Sequence, residues 1–83
     1  MNTIRAIDTD YLRPSRTIDT IIVSNADVEK VFFVYNYEGY SFRLFYYHLD
    51  LINFFQNDEV ECDRHFETDE ELDSFLLNFT LKE

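Results

Sequence analysis

The sequence predicts an α+β domain: a small antiparallel sheet of about three strands packed against one or two helices. Two observations carry that prediction. A run of bulky apolar residues from Lys30 to Tyr37 meets Glu38-Gly39 and is answered by a second run from Tyr40 to Tyr47. Further on, Thr68-Asp69-Glu70-Glu71 precedes apolar residues at helical spacing. With 83 residues, one Gly and one Pro, the chain is read as a single domain, 1–83, with little linker. A domain of this size buries only about 60% of its unfolded surface, so its stability margin is thin.

Residues 1–17 form a moderately polar lead-in, with Arg5, Arg13 and Arg16 among Asp8 and Asp10. Pro14 biases Arg13 away from helix, so a short helical turn is expected to end before it. From Ile18 to Val23 most residues are β-branched, which suits a pleated surface. Ser24-Asn25-Ala26-Asp27 then reads as a turn. The central hairpin, 30–47, is expected to close through a two-residue Glu38-Gly39 loop in which Gly39 supplies a positive φ. In that register Tyr37 faces Tyr40, Tyr35 faces Phe42, Phe33 faces Leu44 and Val31 faces Tyr46.

A helix is expected over 50–57, with Asp50 as N-cap and Leu51, Ile52, Phe54 and Phe55 on one side. Residues Glu59 to Glu67 alternate with period two, which favours a charged edge strand over a helix. The last helix spans 69–79. Thr68 and Glu71 form its capping box, and Leu72, Phe75, Leu76 and Phe79 form its apolar stripe.

Composition limits the function classes. There are 17 acids against 7 bases, a formal charge of −10. Direct binding to nucleic acid or an anionic membrane needs a basic footprint, so neither is expected. One Cys precludes an intramolecular disulfide framework. No apolar run approaches a membrane span, and the first ten residues lack a signal-peptide core. A soluble cytoplasmic protein is the expectation.

No catalytic signature stands out. There is no GxSxG, no Gly-rich phosphate loop and no HExxH. Nothing in the sequence places a nucleophile beside a base, so the chain is read as not an enzyme. Cys62 and His65 invite a metal reading, but a zinc site needs four ligands in recognisable pairs. On a strand the two would point to opposite faces. A calcium loop counted from Asp58 puts Asp63 where Gly is needed and Asp69 where a bidentate Glu is needed. No metal and no cofactor is expected.

Two surface features remain. Asn57 to Asp73 contains nine acids against Arg64 alone, a net of −8 in 17 residues. Such a run is either a solvated face or an array of carboxylates standing in for nucleic-acid phosphates on a basic protein. The hairpin, meanwhile, is apolar on both faces. One face can pack under the helices; the other needs residues 1–23, a second copy or a partner. Tyr37, Tyr40 and Tyr47 near strand ends are candidate interface anchors.

The stretch FETDEELDSFLLNFTLKE, residues 66–83, with the strands-then-helix order, resembles small phage anti-CRISPR proteins that inhibit the type II CRISPR nuclease. Asp69, Glu70 and Glu71 match the acidic run of that family, and Thr80-Leu81-Lys82 its ending. The resemblance implies a protein that occupies the site where the nuclease reads its protospacer-adjacent motif. It implies that Asp58, Glu59, Glu61, Asp63, Glu67, Asp69, Glu70, Glu71 and Asp73 compete for the basic residues there. The leading expectation is thus a non-enzymatic acidic binding protein, a phage or mobile-element inhibitor that mimics nucleic acid. Its partner would be a basic, nucleic-acid-binding protein. The rivals are a homodimeric assembly module using the aromatic sheet face, and an immunity or antitoxin protein that blocks a basic nuclease.

Overall fold

The computed structural model describes residues 2–13, 15–57 and 60–81. It is an α+β domain with five strands and two helices in the order β1 (Thr3–Arg13), β2 (Arg16–Ser24), β3 (Glu29–Tyr37), β4 (Ser41–Phe45), α1 (His48–Asn57), β5 (Arg64–Phe66) and α2 (Asp69–Leu77). The sheet is an antiparallel meander in sequence order, with β1 and β5 at its edges.

The expected class holds, but the sheet has five strands rather than three. The lead-in is not a helical turn. Residues 3–13 are the longest strand, paired along β2 from Thr3↔Ser24 to Arg13↔Arg16. Register shifts leave Ile7 and Leu12 without cross-strand partners, and these two bulges break the alternation that marks a strand. The turn after β2 is built by Asn25, whose Oδ1 accepts from the backbone N–H groups of Asp27 (2.8 Å) and Val28 (2.9 Å). That Asx turn replaces ladder bonds that the backbone loses there.

The central hairpin closes one residue later than expected. Tyr37 faces Ser41, Asn36 faces Phe42, Tyr35 faces Arg43, Val34 faces Leu44 and Phe33 faces Phe45. The loop is therefore Glu38-Gly39-Tyr40. Glu38 has φ 55° and Gly39 φ 80°, and Asn36 Oδ1 holds the Gly39 N–H at 2.9 Å. Gly39 has the positive φ expected of it, and Glu38 shares it.

Two apolar layers result, one on each side of the sheet. On the first face Ile21, Val23, Phe32, Val34, Phe42 and Leu44 pack under Leu72 and Leu76 of α2, joined by Phe75, Phe79 and Leu81. On the second face Tyr35 and Phe45 pack under Leu51 of α1, with Phe33 and Phe54 beside them. Phe32, Leu44, Phe45 and Leu76 are fully buried, each stabilising the fold by roughly 1.5–3 kcal/mol. On the second face α1 thus covers β3 and β4, while Thr3–Arg13 and Arg16–Ser24 are strands of the sheet itself and not a cover for it.

Helix boundaries shift slightly. α1 begins at His48, so Asp50 lies in its first turn; the Tyr47 carbonyl accepts the first bonds, from Asp50 N–H (3.1 Å) and Leu51 N–H (3.4 Å). α2 has the expected Thr68 cap, whose Oγ1 accepts from Glu71 N–H at 3.2 Å, but ends at Leu77 instead of 79. Asn2 closes the opposite end of α2: its Nδ2 donates to the carbonyls of Leu76 (3.0 Å) and Phe79 (2.7 Å). The Leu76 carbonyl, in the last turn, also accepts from Phe79 N–H at 3.3 Å, so Asn2 ties the helix end to the segment that follows it. No described helix is long and apolar enough to cross a membrane.

Candidate functional site

The acidic stretch occupies the β5 edge of the sheet and the start of α2. Two of its expected members, Asp58 and Glu59, lie outside the described residues. The other seven, Glu61, Asp63, Glu67, Asp69, Glu70, Glu71 and Asp73, are all exposed. They fall into two groups, one at each end of the three-residue strand β5. Arg64 and His65 separate them along the chain, but their side chains leave the edge in opposite directions. Arg64 stacks over Phe75 of α2, its Cζ 5.6 Å from the ring centroid, and His65 turns to the second face beside Ser41. The seven acids flank the strand, before it and after it, and none lies within it.

The scaffold fixes several of these acids in place. Asp63 Oδ2 accepts from Tyr46 N–H at 2.8 Å, and its own N–H donates to the Leu44 carbonyl at 2.9 Å. One oxygen of Asp63 is therefore committed to ending β4. Asp69, Glu70 and Glu71 occupy the first turn of α2, where the helix dipole favours negative charge. Glu71 Oε1 also accepts from Thr68 Oγ1, at 3.3 Å. A carboxylate held this way loses little side-chain freedom when a partner binds it.

The three tyrosines do not form one group. Tyr37 and Tyr40 meet edge to face at 5.7 Å beside the β3–β4 loop, and Arg16 caps Tyr37, its Cζ 4.2 Å above the ring and its Nη2 donating to the Tyr37 hydroxyl at 2.8 Å. Tyr47 stands at the other end of β4, about 16 Å of strand away, where Lys30 Nζ lies 6.0 Å from its ring. Tyr40 borders the acids directly: it shares a shallow groove of about 460 Å³ with Ser41, His65, Glu67 and Thr68. Its hydroxyl is held above its ordinary pKa, first by desolvation and then by the neighbouring Tyr37 and Glu38. It therefore stays a neutral donor beside the acids.

His65 carries a contact that the sequence does not disclose. Its Nε2 lies 2.8 Å from Ser41 Oγ. The two residues are 24 positions apart and become diagonal neighbours only through the β4–β5 register. A serine beside an imidazole is thus present after all. Ser41 sits inside the ladder, next to Tyr37 on β3, and the bond clamps the short β5 to the sheet.

Cys62 precedes β5 and does not oppose His65. Both line a second groove of about 420 Å³ with Arg43, Phe54, Val60 and Glu61. Burial pushes the Cys62 thiol up from its ordinary pKa, against the pull of Arg43, so it is protonated at neutral pH. Among the described residues no three His, Cys, Asp or Glu side chains gather as a metal would require.

The chain matches no family model, no curated protein and no solved structure.

Proposed function

We propose that the chain is a non-enzymatic acidic binding protein that occupies the nucleic-acid groove of a basic protein, in the manner of an inhibitor encoded by a phage or mobile element. One observation carries the reading: seven described acids, all exposed, are concentrated on one sheet edge and the adjoining helix turn. Fixed carboxylates on a folded edge present a preorganised negative array. Lys and Arg side chains that neutralise phosphates bind such an array by the same charge-assisted bonds. Tyr40 at one end adds contact area with a polar tip. The 66–83 resemblance makes the type II CRISPR nuclease the first target to try, at the surface that reads its protospacer-adjacent motif.

The test is a pull-down from bacterial lysate at low salt with a rising salt elution, followed by inhibition of DNA cleavage by the purified nuclease. A basic nucleic-acid-binding protein released at moderate salt is the expected result. Its identity distinguishes a nuclease inhibitor of this type from an immunity protein for a toxin. The decisive variant carries Glu61→Lys, Glu67→Lys, Glu70→Lys and Asp73→Lys. It spares the Thr68–Glu71 cap and Asp63, so the fold is retained. Its affinity for the captured partner is expected to fall at least about 100-fold, with a flatter salt dependence. Unchanged affinity would overturn the proposal.

A further inference from the structure

Tyr40 does not stand alone at its end of the sheet. It closes the β3–β4 loop, Ser41 opens β4, His65 is the middle residue of β5, and Glu67 and Thr68 follow β5; together they line one groove of about 460 Å³. Several of its polar groups are already committed. Ser41 Oγ and His65 Nε2 face each other at 2.8 Å. Thr68 Oγ1 accepts from Glu71 N–H at 3.2 Å and donates to Glu71 Oε1 at 3.3 Å. What is left to meet a ligand is the Tyr40 ring, 57% exposed, and the exposed Glu67 carboxylate. Glu67 carries the one formal charge among these lining residues. A flat aromatic wall beside a single carboxylate selects a flat cation.

We propose that this groove receives one arginine side chain of the basic partner, its guanidinium stacked on Tyr40 and forked onto Glu67. This rests on the proposed binding function and adds to it a place that tells arginine from lysine. The molecule already builds the same stack internally. On the adjoining strand the Arg16 Cζ lies 4.2 Å above the Tyr37 ring, and Tyr37 meets Tyr40 edge to face at 5.7 Å. Arg43 over Phe54 (5.3 Å) and Arg64 over Phe75 (5.6 Å) repeat it. Arginine suits the groove better than lysine for a geometric reason. A guanidinium is planar, stacks on a ring and presents parallel N–H groups to a carboxylate, whereas an ammonium is a compact, strongly hydrated point charge. The Watson–Crick edge of guanine offers a carboxylate a similar pair of donors, but a nucleotide also carries phosphate. The formal charge of −10 repels phosphate and attracts a guanidinium, so charge decides between the two. Acids outside the groove draw in any cation; the groove selects which one stays.

Titration of the nitrogen-15-labelled protein with N-acetyl-arginine amide tests this, read by backbone amide shifts at constant ionic strength. The shifts are expected to saturate at Ser41, His65, Glu67 and Thr68, with a dissociation constant on the order of millimolar, as suits one side chain. N-acetyl-lysine amide is expected to bind at least about 5-fold more weakly. Glu67→Gln and Tyr40→Ala should each weaken the arginine probe at least about 5-fold, while Glu70→Gln, which removes the same charge outside the groove, should not. All three positions are exposed, and unchanged amide shifts elsewhere confirm that each variant folds. The proposal is overturned by the absence of saturable shifts, by equal binding of the two probes or by equal losses in Glu67→Gln and Glu70→Gln. Guanosine that binds the groove more tightly than the arginine probe overturns it as well. The captured partner separates this from the nucleic-acid-mimic reading. A partner that tolerates Tyr40→Ala with Glu67→Gln but is lost by the four-lysine variant sinks the groove and leaves the mimic standing. An arginine probe that binds as expected, with no basic partner captured, supports the groove and sinks the mimic.

Discussion

Glu38 holds a φ of 55°, a region where a side chain crowds the following carbonyl. Its neighbour Gly39 reaches φ 80° without that strain. Asn tolerates the left-handed region better than Glu, because its short polar side chain bonds locally. Glu38→Asn is therefore expected to stabilise the fold by about 0.5–1 kcal/mol. Urea unfolding reads this as a higher midpoint at unchanged slope; a lower midpoint would contradict it. The Glu38-Gly39 pair was legible in the sequence, but the register it sets was not. Two-residue and three-residue loops share this signature. Hydrophobic pattern normally decides between them, since a slip of one residue turns every side chain to the other face. Here both faces are apolar, so Phe33 opposite Leu44 and Phe33 opposite Phe45 bury equally well. The Ser41–His65 contact was hidden for the same reason, since it exists only once the register of two strand pairs is known.

At the scale of elements, legibility followed local signals. α2 was readable because its cap and its stripe are both written within a dozen residues. The cap also yields a prediction: Thr68→Ala should cost about 1 kcal/mol, and Thr68→Ser much less. Thermal unfolding measures both, and equal losses would show that the hydroxyl is not what matters. β1 was unreadable because its four charges, Arg5, Asp8, Asp10 and Arg13, come to one face only through its two bulges, so neither alternation nor apolar content marks it in the sequence. Its existence depends on β2, which offers a full ladder of partners. The helical start at His48 was missed because Tyr47, the residue before it, has no short acceptor side chain of the kind that marks an N-cap in residue type.

At the scale of the whole molecule, the concentration of acids was plain from the sequence, but their placement was not. Only the fold shows that they share one edge, that Asp63 is half committed to the backbone of Tyr46, and that Tyr47 stands apart from Tyr37 and Tyr40. Crowding like charges onto one edge works against the compact state through self-repulsion. Raising NaCl from about 20 to about 300 mM should screen that repulsion and stabilise the fold by roughly 1 kcal/mol, a rise in Tm of about 4–8 °C. The four-lysine variant, with four acids replaced by bases and a formal charge of −2 instead of −10, should show little of this response. A wild-type Tm that falls with salt would mean that attractive pairs dominate instead.

The strands lie in the sheet in the order in which they are synthesised, and the helix that seals the first face comes last. A nascent chain can therefore add β2 to β1, β3 to β2 and β4 to β3 as each leaves the ribosome, with α1 closing the second face behind them. Until α2 follows, Ile21, Val23, Phe32, Val34, Phe42 and Leu44 stand in an open sheet with no roof. A chain cut before Thr68 would keep every described strand and α1, and would expose a bare apolar surface of the kind that chaperones recognise.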